Sequence, residues 1–386
     1  MKNIPKLVTD TATLKQALAA VSSSDFVAID TEFMRETTYY PQLCLIQVCA
    51  NEVSFCIDPM SGDIDLTPFF ELLSDRSVVK VFHAGRQDLE IFVHLTGNVP
   101  APVYDTQIAA MVCGLGDQTG YDRLVYSFTR KTLDKSSRFT NWAQRPLSDR
   151  QISYALDDVI YLAQIYPKIV SKLSESGRDS WVDTEMAQLS EKQLYINDLN
   201  TVWKKMKPRG SRPDMLNRLV HLAAWREQEA QNRNQPRGRI LRDDTVMDLA
   251  GSNPQSLPEF KKIRGFPGGE GGKLAGPVLA VLQQAAQTPQ SEWPILTRAA
   301  REEKAPPDIL ELLRVLLKHV SEDEQVAPRL IATADELEKL ARSATADIRA
   351  QSGWRHDIFG ASAIKLMSGK LALSVSGNAI KIIELK

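Results

Sequence analysis

Cysteine is scarce in this chain of 386 residues: Cys44, Cys49, Cys56 and Cys113 are the only four. No two form a Cys-x-x-Cys pair and no histidine stands at zinc-ligand spacing from them, which excludes a zinc cluster. All four lie in or beside apolar stretches. They read as buried free thiols of a reducing compartment, not as a disulfide framework. No stretch reaches the ~18–20 apolar residues of a membrane span, and Met1–Asp10 lacks the shape of a signal peptide. A cytoplasmic protein with no membrane partner is expected. A large charge of either sign is also lacking, with a net charge of -1. Any nucleic-acid surface must therefore come from local charge distribution.

What is present is the composition of a globular protein, 43% hydrophobic and 25% charged, at a length that implies two or three domains. The first half alternates helix-like and strand-like pieces. Thr11–Val21 has helical periodicity behind a Thr cap. Phe26–Asp30, Leu43–Val48, Val53–Ile57 and Val78–Phe82 read as strands, and Leu66–Leu73 and Asp88–Leu95 as helices. Such alternation argues an α/β sheet with helices packed on it, and the close Leu43–Ile57 pair makes the sheet mixed. Asp179–Leu199 reads as one long polar helix. A basic Pro/Gly linker (Lys207–Pro213) follows, and then the chain is helical, with further breaks near Thr288–Pro294 and Ala305–Pro307. Leu371–Leu385 alternates and reads as extended.

Carboxylates carry the chemical signal. Asp30 and Glu32 end an apolar strand two residues apart, so both point to one face. Unless a cation neutralises them they repel and raise each other's pKa. Hard oxygen ligands of this kind suit Mg²⁺ or Mn²⁺. Asp88 follows a strand and the turn His83–Gln87, on the edge where α/β sheets usually bind ligands. It would equally serve as a helix N-cap. Tyr154 and Asp158 share a helix face at i and i+4, tied to a core by Ile152, Ala155, Leu156, Val159 and Leu162. Asp157, three residues from Tyr154, remains an alternative on spacing alone.

Asp-x-Glu, then Asp in His-Ala-x-x-Gln-Asp-Leu, then Tyr-x-x-x-Asp on a helix resembles the three-motif signature of the DEDD exonuclease superfamily, tyrosine subclass. A related subclass has His where this chain has Ser153. The flanking segments VAIDTEFMRETTYYPQLCLIQV, VFHAGRQDLEIF and NWAQRPLSDRQISYALDDVIYL are similar to the ribonuclease D family over residues 5–200. Thr140-Asn141-Trp142 departs from the family's Ser-Asp-Trp, and Leu156-Asp157 stands where small residues are usual. The resemblance implies a ribonuclease-H-like fold and two divalent metal ions, Mg²⁺ or Mn²⁺. Their ligands would be Asp30, bridging both, Glu32 and Asp158 on the ion that generates hydroxide, and Asp88 on the other. Asp158 is thereby favoured over Asp157, and Tyr154 would orient the attacking water. Around this set Phe33, His83, Gln87, Arg138 and Arg145 are candidates for substrate binding. Phe33 is equally a core residue, His83 more often a structural one, and the arginines equally surface charges. Arg35 is a further phosphate candidate, and Asp105 and Gln107 open a helix behind the site.

Between Lys204 and Arg242 there are eleven basic and three acidic residues, a footprint for phosphates or a solvated helix face. Residues 208–288, with Trp225-Arg226, Pro236 and Gly265 as landmarks, resemble the HRDC domain shared by helicases and ribonuclease D. Residues 289–386 resemble a second, divergent copy, ending in GWRHDIFG. Gly265–Gly272 is no phosphate loop, because Lys273 is followed by Leu274. The expected organisation is a mixed-sheet exonuclease domain (1–200) followed by two all-helical HRDC-like domains (208–288, 289–386). The expected activity is 3′→5′ trimming of RNA, including transfer-RNA precursors, by a monomer. A DNA-directed exonuclease and an inactive RNA-binding scaffold are the alternatives. All four acidic ligands are present, which disfavours the scaffold.

Overall fold

The computed structural model describes residues 4–208, 212–295 and 304–385, so residues 209–211 of the expected linker lie outside it. A six-stranded sheet runs in the order β1-β4-β3-β2-β5-β6. Its strands are β1 (Leu7–Val8), β2 (Phe26–Met34), β3 (Gln42–Ala50), β4 (Val53–Ile57), β5 (Val79–Phe82) and β6 (Val103–Asp105). The hairpin β3/β4 is antiparallel, while the β1/β4, β2/β5 and β5/β6 pairs are parallel. The sheet is mixed, as expected. Asn51 and Glu52, at φ 50° and 66°, make the two-residue turn, the backbone form that matches the twist of a hairpin.

Helices α1 (Thr11–Val21), α2 (Thr67–Ser74), α3 (Arg86–Thr96), α4 (Thr106–Val112), α5 (Tyr121–Thr129), α6 (Asp149–Glu175) and α7 (Asp179–Leu189) accompany the sheet. Three boundaries differ from the sequence reading. The N-cap of α1 is Asp10, which accepts from the Thr13 amide, where a Thr cap was expected. Strand β2 runs on to Met34, so both acidic residues lie within it. Helix α7 stops at Leu189 and is followed by a 3₁₀ turn, Lys192–Tyr195. Its buried residues Val182, Glu185 and Met186 have no successors beyond that point, and the segment after it is exposed or half-buried.

Helix α6 starts with a capping box between Ser148 and Gln151. Its buried stripe sets Val159 and Leu162 against Ala28, Cys49 and Val81 of three adjacent strands. That contact brings Asp158, the neighbour of Val159, to the face of β2 carrying Asp30.

The chain divides into two compact units, one of Met1–Glu32, Leu43–Glu191 and Glu303–Lys386, the other of Phe33–Gln42 and Lys192–Glu302. The second unit holds α8 (Pro213–Asn232), α9 (Arg237–Ile240), α10 (Asp243–Ser252) and α11 (Ala275–Ala286). Their core includes Leu219, Leu222, Leu249, Phe260 and Val278. Within it the Tyr39 hydroxyl donates to Glu227, which pairs with Arg237. Much of the basic stretch is spent inside this unit. Arg212 and Arg218 pair with Asp214, Arg226 with Asp243, Arg233 with Glu229 and Arg237 with Glu227. Lys204, Lys207, Arg239 and Arg242 form no ion pair among the described residues.

The end of the chain forms α12 (Pro307–Asp323), α13 (Pro328–Ile331), α14 (Ala334–Arg342), α15 (Gly353–Arg355), α16 (Ala361–Met367) and a hairpin of β7 (Leu371–Ser376) and β8 (Ala379–Glu384). The alternation over Leu371–Leu385 does mark extended chain, and this segment is therefore not all-helical. The order of a long helix, a four-residue helix, a helix of nine or ten residues, a 3₁₀ turn and a closing helix occurs from α8 to α11 and again from α12 to α16. These helices do not form a core of their own. Leu313, Leu316, Leu330 and Phe359 share one with Ala109, Val125, Ile165, Val182 and Met186 of the sheet-bearing part. Trp354 stacks on Trp181 with centroids 4.5 Å apart and planes 9° from parallel. Arg355 pairs with Glu185, their side chains being 4% and 6% exposed.

Breaking a buried pair by removing one partner costs about 3–5 kcal/mol, because the other charge stays uncompensated. Arg355→Ala is expected to lose that much in urea unfolding, and Arg355→Met with Glu185→Leu to lose far less.

Candidate active site

Each acidic residue reaches the site by a separate local device. Asp30 and Glu32 share the face of β2 that carries Ala28, the face packed on α6. Asp88 lies in the first turn of α3 and is 7% exposed. The N-cap of that helix is Gly85, so Asp88 is not its cap. A Cβ at Gly85 would lie 2.5 Å from Cβ of Phe82, which only glycine avoids. The turn before α3 is held by Asp105, whose carboxylate accepts from the amides of Ala84 (3.0 Å) and Gly85 (2.9 Å) and, as N-cap of α4, of Gln107 (2.8 Å). Asp105 thus supports the site from behind. The Thr31 hydroxyl donates to Asp88.

Tyr154 and Asp158 lie one turn apart on α6 and line the same cavity. Asp157 lines a different groove with Ser153, Leu156 and Ile160, whereas Asp158 shares a cavity of about 210 Å³ with Asp30, Tyr154, His83, Tyr121 and Arg138. Helix rotation thus places Asp158, and not Asp157, in the cavity with Asp30.

The electrostatics are those of too many carboxylates. Burial, followed by the charges of Asp88, Asp158 and Glu32, holds Asp30 well above the usual carboxylate range. Burial and the neighbouring aspartates push Glu32 up to about 9. Burial takes Asp88 and Asp158 to about 7. The Arg138 guanidinium is the one positive group that draws Glu32 and Asp158 back down. Burial, then Asp158, Glu32 and Asp30, also raises Tyr154, so its hydroxyl keeps its proton.

Of the other candidates, His83 lines the cavity. It bonds Thr106 Oγ1 through Nδ1 at 3.1 Å, and burial lowers its pKa, so it is neutral. Its Nε2 is buried without a partner. Arg138 lines the cavity too. Phe33, half-buried on β2, and Gln87, exposed on α3, do not line it. Arg145 is a correction. Its Nε and Nη2 bond Asp58 at 2.6 and 2.7 Å, Nη2 also reaches the Cys44 carbonyl, and Nη1 bonds the Trp142 and Gln144 carbonyls. An arginine has five N–H donors, and all are committed, so Arg145 is a clamp and not a phosphate contact.

Sequence reasoning missed Thr31 and Tyr121. The Tyr121 hydroxyl donates to the main-chain oxygen of Asp158 at 2.5 Å and fixes α6 where the last carboxylate leaves it. Tyr121 belongs to no motif, and only its place in space marks it. Gln47 was missed as well. It lies on the strand face of Cys49, which packs toward α6, is 0% exposed and has no partner for either amide atom. Buried amides of this kind are usually satisfied.

Among the described residues, no three histidine, cysteine or carboxylate side chains already close around one point. The fit to a metal rests on the donor set. Four half-buried or buried carboxylates with one nearby guanidinium are hard oxygen donors in need of positive charge.

Comparison with known proteins points to one family. Residues 5–174 match the family described as 3′-5′ exonuclease, and residues 215–281 match the HRDC domain. The chain is 44% identical to ribonuclease D of Zymomonas mobilis, with 98% of this chain and 97% of that protein covered. It is 42% identical to ribonuclease D of Sphingobium indicum, with 98% of each covered. Among solved structures, Escherichia coli RNase D, described as an exoribonuclease involved in structured RNA processing, superposes with TM-score 0.82 at 29% identity. That match covers 95% of this chain and 99% of that one.

Two outcomes are expected. Arg145→Ala strands Asp58, which is 4% exposed, and should cost about 3–5 kcal/mol in urea unfolding without changing the salt dependence of RNA binding. The raised carboxylates also give stability a pH slope. Between the unfolded value of about 4 and the folded values of about 7 to 9, the folded state holds more protons than the unfolded chain, so stability falls as pH rises. Calorimetry in EDTA should show Tm declining from pH 5 to 9 and the slope flattening in Asp158→Asn. Mg²⁺ or Mn²⁺ should restore Tm most at the alkaline end.

Proposed function

The chain belongs to the ribonuclease D family and is a 3′→5′ exoribonuclease. From that premise we propose that it removes nucleoside 5′-monophosphates one at a time by two-metal-ion hydrolysis and matures the 3′ ends of transfer-RNA precursors. The observation that carries this reading is the convergence of Asp30, Glu32, Asp88 and Asp158 beside one small cavity with too little positive charge to balance them. These four would hold the metal ions. When bound, a pair of divalent ions supplies an activated water and neutralises the charge on the leaving 3′ oxygen.

The chain's own residues do the rest. Tyr154 stays protonated beside Asp158, so it orients the attacking water by a hydrogen bond and does not take its proton. Arg138, on the cavity wall, meets the phosphate. Neutral His83 offers Nε2 to the sugar or base of the terminal nucleotide. Lys204, Arg239 and Arg242, without an ion pair among the described residues, supply phosphate contacts in the second unit, and a monomer carries everything the reaction needs.

The test is a 5′-labelled RNA with a free 3′ hydroxyl, incubated with Mg²⁺, Mn²⁺ or EDTA beside a matched DNA. A one-nucleotide ladder from the 3′ end, abolished by EDTA and by Asp30→Ala, is expected, and Tyr154→Phe should slow it by about 10²-fold, the cost of a misplaced attacking water. RNA binding without shortening under either metal would overturn the reading. Deleting everything after residue 208 would strip the shared core, so the second unit is tested by Arg239→Glu with Arg242→Glu. That variant should weaken binding of a transfer-RNA precursor and reduce its salt slope, while a short oligonucleotide is trimmed as before.

A further inference from the structure

Phe139 is 90% exposed, while the other phenylalanines of the described residues are buried or half-buried. A lone exposed apolar side chain is ordinary on a protein surface, so its position has to make the case. Its neighbour Arg138 lines the cavity that holds Asp30 and Asp158, and the Arg138 guanidinium carbon lies 5.3 Å from the centre of the Phe139 ring. The ring therefore stands one residue outside the cavity wall, with the guanidinium against one face.

The segment carrying it is fastened on both sides. Lys135 pairs with Asp122 at 2.7 Å and Asp134 with Arg150 at 3.2 Å. Ser137 is 3% exposed and Trp142 2%. Thr140 Oγ1 donates to the Ser137 carbonyl at 2.9 Å and accepts from Gln151 Nε2 at 3.2 Å. A ring held in water by ordered, anchored chain is not a frayed loop. The cavity, at about 210 Å³, is below the ~300–1,000 Å³ that encloses a drug-sized ligand. It takes no more than the terminal nucleotide, so the next base lies outside, where the ring is.

Resting on the exoribonuclease reading above, we propose that Phe139 is a positioning residue on which the penultimate base of the RNA stacks, with Arg138 bridging ring and phosphate. Stacking on an aromatic face tolerates any base, which suits an enzyme that must advance by one nucleotide without regard to sequence. It also fixes the nucleotide whose 3′ oxygen leaves.

The experiment is a cycle of protein and substrate changes. Short RNAs carry a normal or an abasic residue at the terminal, penultimate or third position, and are trimmed by wild type, Phe139→Ala, Phe139→Tyr and Phe139→Leu. On normal RNA, Phe139→Ala should lower kcat/KM by about 5- to 100-fold, with Phe139→Tyr close to wild type and Phe139→Leu close to Phe139→Ala. On RNA abasic at the penultimate position the difference between wild type and Phe139→Ala should vanish, and at the other two positions it should persist. The proposal is overturned if Phe139→Ala trims normal RNA within twofold of wild type, if Phe139→Leu equals Phe139→Tyr, or if the loss is the same on every abasic substrate. Wild type that fails to shorten any RNA overturns the exoribonuclease reading itself, and this proposal with it.

Discussion

Four carboxylates gathered at one end of a sheet repel one another, and the architecture of the sheet-bearing part answers to that repulsion. Two unit charges 4 Å apart in surroundings of effective dielectric near 20 interact by about 4 kcal/mol, comparable with much of a domain's net stability. Left to themselves the acidic side chains would swing apart or keep their protons. The groups around them act against the first outcome. Thr31 holds Asp88, Tyr121 holds the main chain of Asp158, and Asp105 holds the turn that leads into α3. Raised pKa values express the second. The site is a place of stored repulsion that positive charge relieves, and the apolar contact of Val159 and Leu162 with Ala28, Cys49 and Val81 keeps it assembled.

Much of this was legible in the sequence because secondary structure has fixed periods. Asp30 and Glu32 two apart on a strand, and Tyr154 and Asp158 four apart on a helix, announce shared faces without any coordinates. Asp88 was legible through its motif, although the same residue type suits a helix cap. Periodicity said little about groups that meet only in three dimensions. Tyr121 and Gln47 sit in stretches with no chemical pattern. Arg145 looked like a free cation because its partners Asp58 and Cys44 lie 87 and 101 residues away in the chain. The basic stretch misled in the same way. A count of charges cannot see that Asp214, Glu227, Glu229 and Asp243 absorb five of the eleven.

The helices at the end of the chain show the limit of reading domains from composition. Breaks near 290 and 306 suggested a separate body, and the order of elements from α12 to α16 is similar to that from α8 to α11. Burial decides otherwise. Its apolar stripe is satisfied against α4 to α7, with the Trp181–Trp354 stack and the enclosed Glu185–Arg355 pair at the contact, so the segment is a cover for the nuclease part. Amphipathic helices reveal that they have an apolar face, but not which surface will receive it.

That cover has a consequence for how the molecule is made. Synthesis runs from the N-terminus, so β1 to α7 leave the ribosome first, but the core they share with Leu313, Leu330 and Phe359 cannot close until Glu303–Lys386 has followed. The part begun earliest is finished last. A message broken between the codons for Leu189 and Glu303 yields a chain whose four clustered carboxylates are all present and whose apolar face is bare, a substrate for chaperones and proteases before it is a nuclease.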